Sequence, residues 1–271
     1  MKIIRQIKDL NKALSKNLEL GFVPTMGCIH KGHESLIKIS KKRCKKTLVS
    51  IFINPTQFNN KKDFIKYPRY INKDLEILKK LKVDYIFLPN TIDIYKQKRK
   101  IKIKLKMSQK ILCARFRKGH FEGVLDIVDR LVKMINPKYM FMGEKDYQQY
   151  ILVKNFIQKK YKTKILLCKT IRNNNDVALS SRNYLLNKKS MQKASFIVKN
   201  LMRLKSQVNL NRKKVNYLIK EHKNVLIDKF DIKIEYLEAR NLFNLQKSII
   251  NKKYKIFIAF YINKIRLIDN F

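Results

Sequence analysis

The chain has 271 residues, of which 45% are hydrophobic, so it can bury the core of one large domain or two smaller ones. Its apolar runs are short, and residues 256–262 fall far below the roughly 18 residues that a membrane helix needs. The first residues are mixed and soon charged, without the small-residue cleavage site of a signal peptide. These features argue against a membrane protein and predict a soluble protein of the cytoplasm.

The formal net charge of +43 is the most pronounced feature of the composition. Such a charge can indicate a polyanionic partner such as nucleic acid. The lysines, however, occur in nearly every segment, and the abundant residue types, Lys, Ile, Asn, Tyr and Phe, share A/T-rich codons. Genomic base bias is therefore the preferred explanation, and no specific nucleic-acid partner is predicted.

The cysteines are scattered along the chain at Cys28, Cys44, Cys113 and Cys168. They form no Cys-x-x-Cys pair, and no histidines accompany them at zinc-binding spacing. We therefore expect four reduced, partly buried thiols.

Hydrophobic periodicity predicts helices that alternate with strands over the first two thirds of the chain. In chain order the expected elements are a helix over 3–17, a strand over 20–23, a helix opened by Gly32 with Leu36, Ile37 and Ile39 inward, a strand over 47–53, a helix over 71–78, a strand over 85–88, an exposed strand over 101–105, a helix over 124–135, a strand over 139–142, a helix over 146–160 and a strand over 164–171. This alternation is typical of an α/β fold with a doubly wound parallel sheet.

The pattern changes near Arg172-Asn-Asn-Asn-Asp176. Beyond it, two long polar helices are predicted, over 185–206 and 211–227, and then three strand-like runs, over 232–237, 255–262 and 264–268. The sequence thus predicts a first domain over residues 1–172 and a smaller C-terminal α+β domain over residues 173–271.

The segment from Pro24 to His33 joins the first core strand to a helix. In an open α/β sheet, ligands bind beyond the carboxyl ends of the strands, where this segment lies. His30 and His33 are three residues apart, so they can lie side by side at the start of the helix. A helix N-terminus with neighbouring imidazoles suits a polyphosphate and the charge that develops during its transfer. A His-x-x-His pair alone has a structural role more often than a catalytic one.

Polar residues follow the next strand and precede the long helix near residue 124. Asn54 and Gln57 can hydrogen-bond a small polar substrate, although Asn54-Pro55 also suits an ordinary turn. The segment Arg117-Lys-Gly-His-Phe-Glu-Gly-Val124 stands just before the helix. These positions are candidates for a substrate pocket.

Two further motifs can contact phosphate. In Gly143-Glu-Lys-Asp-Tyr-Gln-Gln149, Lys145 stands at a strand end and can meet phosphate oxygens as a point charge, while Asp146 and Gln149 share a helix face. A surface lysine is the alternative in so basic a chain. Ser180-Ser-Arg182 offers two hydroxyls and a guanidinium that can bracket a triphosphate.

In their order and spacing, the five motifs closely resemble the pantothenate synthetase family, and the resemblance extends to Ile265-Arg-Leu-Ile-Asp-Asn270. The element His30-Lys-Gly-His33 is also similar to the His-x-Gly-His signature of the wider nucleotidylyltransferase superfamily, and Ser180-Ser-Arg182 to its second, mobile phosphate-binding signature. The resemblance implies a Rossmann-like N-terminal domain, a smaller C-terminal lid and a homodimer.

The resemblance also implies a two-step ligation. The carboxylate of pantoate attacks the α-phosphate of ATP, which gives pantoyl adenylate and pyrophosphate. The amine of β-alanine then attacks the acyl group, which gives pantothenate and AMP. Mg²⁺ accompanies the ATP. No covalent enzyme nucleophile is needed, so catalysis consists of positioning and charge stabilisation.

Matching motifs carry the family's site residues onto this chain. Phosphates and transition-state charge would fall to His30, His33, Lys145, Ser181 and Arg182. The ATP site would comprise Pro24, Thr25, Met26, Gly27, His33, Gly143, Glu144, Lys145, Asp146, Ile171, Leu179, Ser180, Ser181 and Arg182. The pantoate pocket would comprise Met26, Gln57, Gln149, Asn54, Tyr67, Arg117 and His120.

Four positions depart from the family pattern or bear on it. Asp74 matches an acidic position associated with magnesium, but Lys73 stands where the family often has a second acid. Lys118 replaces a usual proline, and Val177 replaces a common glycine, which could alter the lid hinge.

Two other functions remain open at this stage. One is a nucleotidylyltransferase with the same His-x-Gly-His core and a different acceptor, against which Asn54, Gln57 and Gln149 argue. The other is a basic nucleic-acid-binding protein with a decayed active site, against which the retention of all five motifs argues.

Overall fold

The computed structural model describes residues 1–14, 19–59, 61–95 and 103–271, apart from the side chains of residues 61 and 62. These residues form two compact units, Met1–Lys169 and Thr170–Phe271. The sequence placed this division three residues later, between residues 172 and 173.

The first unit is built on a six-stranded sheet. Its strands are β1 (Lys2–Ile4), β2 (Leu20–Thr25), β3 (Lys46–Ile51), β4 (Tyr85–Phe87), β5 (Tyr139–Gly143) and β6 (Lys164–Cys168). All pairings are parallel, in the order β1-β4-β3-β2-β5-β6. The predicted α/β class with a parallel sheet is therefore confirmed.

The helices of the first unit connect these strands. They are α1 (Ile7–Ala13), α2 (Lys31–Arg43), α3 (Lys61–Lys66), α4 (Ile71–Lys80), α5 (Thr91–Ile94), α6 (Cys113–Phe116), α7 (His120–Ile135) and α8 (Tyr147–Ile157). Short 3₁₀ turns precede or follow several of them, at Pro55–Gln57, Met107–Gln109 and Glu144–Asp146.

Strand β2 lies in the middle of the sheet and is apolar on both faces. Phe22 and Val23 are completely buried, as expected for a parallel strand covered on both sides. Helix α2 packs closely on this strand, because a Cβ atom on Gly21 would lie 2.2 Å from the hydroxyl of Ser40. The glycine therefore sets how closely the helix approaches the sheet.

The N-terminal segment differs from the prediction of one helix over 3–17. Residues Lys2–Ile4 form β1 beside β4, and the helix covers only Ile7–Ala13. A strand of three residues, in which only Ile4 is buried, leaves no alternating pattern long enough to recognise. Residues 15–18 of the predicted helix lie outside the described part of the chain.

Two further predictions are corrected. Ile39 was expected to face inward, but it is 39% exposed, whereas Leu36 and Ile37 are buried as predicted. The strand predicted over 101–105 is absent over residues 103–105, which lie outside helices and strands; residues 101 and 102 are not described. Leu105 is nevertheless buried, so its apolar character reflects packing of an irregular segment.

The second unit combines two helices with an antiparallel sheet. Helices α9 (Lys188–Leu210) and α10 (Val215–Phe230) precede β7 (Lys233–Asn241), β8 (Tyr254–Ile262) and β9 (Ile265–Asn270), which pair in that order. Their buried faces form one core, in which Ile197, Leu201 and Ile258 are fully enclosed. The predicted small α+β arrangement is present.

Two compositional expectations can be compared with the described residues. The four cysteines are buried thiols that form no disulfide. Among the helices that the structure describes, none combines the length and the apolar character needed to cross a membrane.

Gly123 provides a test of how closely α7 packs on the turn Pro55–Gln57. A Cβ atom there would lie 2.5 Å from the carbonyl oxygen of Thr56. Gly→Ala inside a helix normally stabilises by about 0.5–1 kcal/mol. We expect Gly123→Ala instead to lower the free energy of unfolding by about 1–3 kcal/mol, because the backbone of helix α7 or of the turn at Thr56 must move to make room for the added Cβ atom. Urea unfolding measures the change, with Gly143→Ala, whose added Cβ meets nothing within 4 Å, as the control.

Candidate active site

Two histidines open α2 directly beyond the carboxyl end of β2. His30 is the N-cap of the helix, and its Nδ1 accepts a hydrogen bond from the backbone N–H of Gly32 at 3.1 Å. The ring of His33 stacks on that of His30, with 4.0 Å between the centroids and 28° between the planes. The side-by-side arrangement predicted from their spacing is therefore present.

Both imidazoles are held in the neutral form. Burial, reinforced by the positive charge of Lys145 and opposed by Asp146, lowers the pKa of His30 to about 4. Burial also lowers the pKa of His33 well below its ordinary value, and His30 and Lys145 act in the same direction. Because Nδ1 of His30 accepts a hydrogen bond, its proton lies on Nε2, which makes Nε2–H a neutral donor.

One atom of this pair has an unmet hydrogen-bonding capacity. Nδ1 of His33 is buried and has no hydrogen-bond partner within the described part of the chain. Buried polar groups are normally paired, so an orphan of this kind indicates a site that a ligand or water completes.

Lys145 follows β5, the strand on the other side of β2. It lies in the 3₁₀ turn Glu144–Asp146, its side chain is 16% exposed, and Nζ is 3.4 Å from Oδ1 of Asp146. Its positive charge lowers the pKa of both histidines, so the ammonium group lies within electrostatic range of both rings. The parallel pairing of β2 with β5 thus brings the segment with His30 and His33 close to the segment with Lys145.

A buried amide network follows β3. Asn54 donates from Nδ2 to Oε1 of Gln57 at 3.3 Å and to the carbonyl oxygen of Gly123 at 3.2 Å. Gln57 in turn donates from Nε2 to the sulfur of Met26, 2.7 Å away. Asn54 and Gln57 are 1% and 9% exposed. Gln57 therefore links two other predicted pantoate-pocket residues, Asn54 and Met26.

Arg117 and His120 join the same network from the start of α7. The guanidinium of Arg117 donates to Nε2 of His120 at 2.9 Å. Since a guanidinium cannot accept, His120 must carry its proton on Nδ1, which donates to the carbonyl oxygen of Gln57 at 2.7 Å. The neutral tautomer of His120 is thus fixed by its two neighbours.

The remaining predicted pocket residues are Tyr67 and Gln149. Tyr67 is buried and contacts Phe58 edge-on, with 5.5 Å between the ring centroids, just after the turn that bears Gln57. Gln149 is partly buried on the first turn of α8, while the neighbouring Gln148 donates to the carbonyl oxygen of Ile111 at 2.7 Å.

Tyr95 belongs to the amide network and was missed by the sequence reasoning. Its hydroxyl donates to Oδ1 of Asn54 at 2.7 Å, and its ring lies under the guanidinium of Arg130, 4.8 Å from the centroid. Arg130 is itself held by Asp126. Tyr95 lies outside all five motifs, so no local signal could have found it.

The predicted ATP-site residues of the second unit lie around a short hairpin. The carbonyl oxygen of Ile171 accepts from the backbone N–H of Leu179 at 3.0 Å. The hydroxyl of Ser180 accepts from the N–H of Arg182 at 3.2 Å and caps the turn Ser181–Leu185. Ser181 is buried.

The hairpin of the second unit is fixed to β9. Arg172 makes two hydrogen bonds to the carboxylate of Asp269, at 2.7 and 2.9 Å. A bidentate pair of this kind fixes orientation as well as distance. The segment that leads into Ser180-Ser-Arg182 is therefore anchored within its own unit.

Asp74, the candidate magnesium ligand, is turned inward. Its two oxygens accept backbone hydrogen bonds from Cys28 at 2.8 Å and Ile29 at 2.7 Å, and the residue is 2% exposed. Within the described ranges, no three His, Cys, Asp or Glu side chains gather where they could hold a metal ion. These residues do not fit a magnesium ion held by the protein through Asp74.

Fold and site together define a Rossmann-like nucleotide-binding enzyme with a His-x-Gly-His element where the strand order reverses. The family model described as Pantoate-beta-alanine ligase matches residues 2–271. The chain belongs to the pantoate–β-alanine ligase family.

Named relatives are similar to this chain in sequence over nearly its full length. The chain is 40% identical over 278 residues to a pantothenate synthetase from Leptospira biflexa, covering 100% of this chain and 98% of the relative. It is 37% identical over 270 residues to the one from Francisella tularensis subsp. novicida, covering 99% and 95%.

Solved structures show the same fold. Pantothenate synthetase from Thermus thermophilus is 27% identical, with a TM-score of 0.92, and covers 100% of this chain and 99% of that one. Pantoate-beta-alanine ligase from Francisella tularensis, complexed with beta-gamma ATP and beta-alanine, is 36% identical, with a TM-score of 0.84 and coverage of 100% and 97%.

The low pKa of His30 predicts a pH-dependent stability. Between its ordinary pKa of 6.5 and about 4, the unfolded chain binds the proton and the folded chain does not, so stability falls as the pH falls. The full loss is about 3 kcal/mol, at about 1.4 kcal/mol per pKa unit. His30→Asn keeps an N-cap but removes this titration. Urea unfolding at pH 7 and pH 4.5 should show a smaller loss in the variant, and equal losses would contradict the prediction.

Proposed function

We propose that this chain condenses pantoate with β-alanine to pantothenate, using ATP and releasing AMP and pyrophosphate through a pantoyl adenylate. The observation that carries the proposal is a full-length family match combined with the two neutral histidines and Lys145 at the strand-order reversal. The bound β-γ ATP and β-alanine of the Francisella tularensis ligase support the same substrates here.

The buried amide network is the proposed pantoate pocket. Asn54 orients the side-chain carboxamide of Gln57. The backbone carbonyl oxygen of Gln57 accepts a hydrogen bond from His120. A pocket of fixed amides suits the hydroxyl and carboxylate oxygens of pantoate, because buried polar groups discriminate against ligands that cannot pair with them. The proposed lining residues are Met26, Asn54, Gln57, Tyr67, Arg117, His120 and Gln149.

The histidine pair and Lys145 are proposed to receive the phosphates. Lys145 supplies a positive charge, whereas neutral His30 and His33 supply N–H donors. Adenosine is assigned to Gly143, Asp146 and the backbone near Ile171, with Asp146 on the ribose. By the family's motif, Ser181 and Arg182 are assigned to the phosphates as part of a lid. The rest of the proposed ATP site is Pro24, Thr25, Met26, Gly27, Glu144, Leu179 and Ser180.

The chemistry follows from these assignments. The carboxylate of pantoate attacks the α-phosphate, and the bond to the pyrophosphate oxygen breaks, so negative charge moves to the leaving group. Donors aimed at that charge stabilise the transition state more than bound ATP, which raises the rate. The β-alanine amine then attacks the acyl carbon, and AMP leaves with the bonding electrons. ATP is taken as its magnesium complex, with the ion belonging to the substrate.

A homodimer and a cytoplasmic location complete the proposal, both by analogy with the family. Light scattering at moderate salt should give twice the 32.5 kDa mass of the chain, and a monomer alone would contradict the dimer.

One coupled assay tests the proposed function. AMP release should require pantoate and β-alanine together. AMP release with another acid or amine in place of either would favour a different nucleotidylyltransferase. Tight DNA binding without AMP release, with a salt slope of about −0.9 per phosphate contacted, would favour the nucleic-acid alternative.

His33→Ala tests the role of the histidine pair. Loss of one preorganised donor should slow pantoate-dependent exchange of pyrophosphate into ATP by about 10²–10³-fold, with little change in the melting temperature. A purely structural histidine would give the reverse, namely lower stability with exchange retained in the folded fraction. Exchange and thermal unfolding are measured on the same preparation, and His222→Ala in the second unit serves as the control.

A further inference from the structure

The connection from β2 to α2 contains two consecutive residues with left-handed backbone, Gly27 at φ +77° and Cys28 at φ +54°. Successive backbone N–H groups in a turn can point to one side and form a concave nest that binds anions. The N–H groups of Cys28 and Ile29 do converge, and they converge on Asp74. The anion in this nest is the protein's own carboxylate.

The fit between nest and carboxylate is close. Oδ2 of Asp74 accepts from Cys28 at 2.8 Å and Oδ1 accepts from Ile29 at 2.7 Å, so each oxygen has its own donor. A Cβ atom on Gly27 would lie only 2.9 Å from Oδ2. The glycine is therefore needed both for its positive φ and for the approach of the carboxylate.

The nest leads directly into the histidine pair. Ile29 precedes His30, the N-cap of α2, and His33 stacks on His30. A hydrogen bond from Ile29 to a buried carboxylate thus fixes the backbone one residue before the first imidazole of the pair. A displacement of about 1 Å in such a group can cost about 10²-fold in rate.

The same contacts argue against a metal on Asp74. Both oxygens are engaged and buried, and the neighbouring Lys73 places a positive charge beside the carboxylate. A hard cation prefers accessible carboxylates in a pocket that lacks competing positive charge. The position matched by the family's magnesium-associated acid therefore does something else in this chain.

We propose that Asp74 is a positioning residue that fixes the β2–α2 connection, and through it His30 and His33, and that it is not a magnesium ligand. This inference rests on the proposed function for its effect on rate. Its structural part, the dependence of the histidine positions on Asp74, can be measured without catalysis.

Asp74→Asn is the main variant, and Glu76→Gln, the same change at an exposed site of the same helix, is the control. The asparagine keeps the shape but turns an NH₂ group toward one backbone donor. Pyrophosphate exchange at saturating ATP and pantoate should fall about 10²-fold. The magnesium concentration for half-maximal exchange should not change, and excess magnesium should not restore the rate. The control should match the unmodified protein.

Nuclear magnetic resonance of the imidazoles supplies the second measurement, because the chain has only four histidines. Asp74→Asn should shift the nitrogen signals of His30 and His33 and leave that of His222 unchanged. If Asp74→Asn yields no folded protein, Gly27→Ala serves instead. This variant retains the Asp74 carboxylate, but the added Cβ atom crowds its Oδ2 atom. The same shifts of the His30 and His33 nitrogen signals are expected.

Three results would overturn the inference. A raised magnesium requirement with rescue by excess magnesium would make Asp74 a metal ligand. A lower melting temperature with full exchange in the folded fraction would make it a stability residue alone. Unshifted signals of His30 and His33 would exclude positioning. Absence of pantoate-dependent exchange in the unmodified protein would instead overturn the proposed function, while the signals would still report on positioning.

Discussion

Strand β2 pairs in parallel with β3 on one side and β5 on the other, and the candidate site depends on this double pairing. Parallel strands end at the same edge of a sheet, so the three segments that follow them meet there. They carry the histidine pair, the Asn54–Gln57 turn and Lys145, although these come from widely separated parts of the chain. Gly21 and Gly123 add the close approach of α2 to the sheet and of α7 to the turn.

The electrostatic character of this edge follows from burial in a strongly basic chain. An exposed histidine beside a carboxylate tends to gain a proton, but here burial and Lys145 both favour the neutral ring. The two kinds of side chain therefore differ in what they offer a ligand: Lys145 offers a positive charge, and the neutral imidazoles offer directed N–H groups. Directed neutral donors keep their geometry over a wide pH range, because the histidines do not titrate near neutrality.

Local patterns predicted much of this arrangement. The alternation of apolar runs indicated a parallel sheet, and the three-residue spacing of His30 and His33 indicated neighbouring rings, because both signals are short-range. Contacts across the chain could not be predicted in this way. Tyr95 reaches Asn54 from 41 residues away, and Asp74 reaches Ile29 from 45 residues away, with no periodicity that links them. The resemblance matched Asp74 to a position associated with magnesium, but it could not show that the carboxylate accepts the backbone hydrogen bonds of Cys28 and Ile29.

The pairing of Arg172 with Asp269 has a consequence for how the chain folds during its own translation. The two residues are 97 positions apart, and Asp269 lies in β9, the third strand of its sheet. On the ribosome, the hairpin that leads into Ser180-Ser-Arg182 therefore emerges long before its anchor is made. The first unit can fold as the chain is synthesised, since domains generally fold as units. The Ser-Ser-Arg element acquires its fixed orientation within the second unit only after β9 has emerged, so a nascent chain completes the two groups of proposed ATP-binding residues in two separate stages.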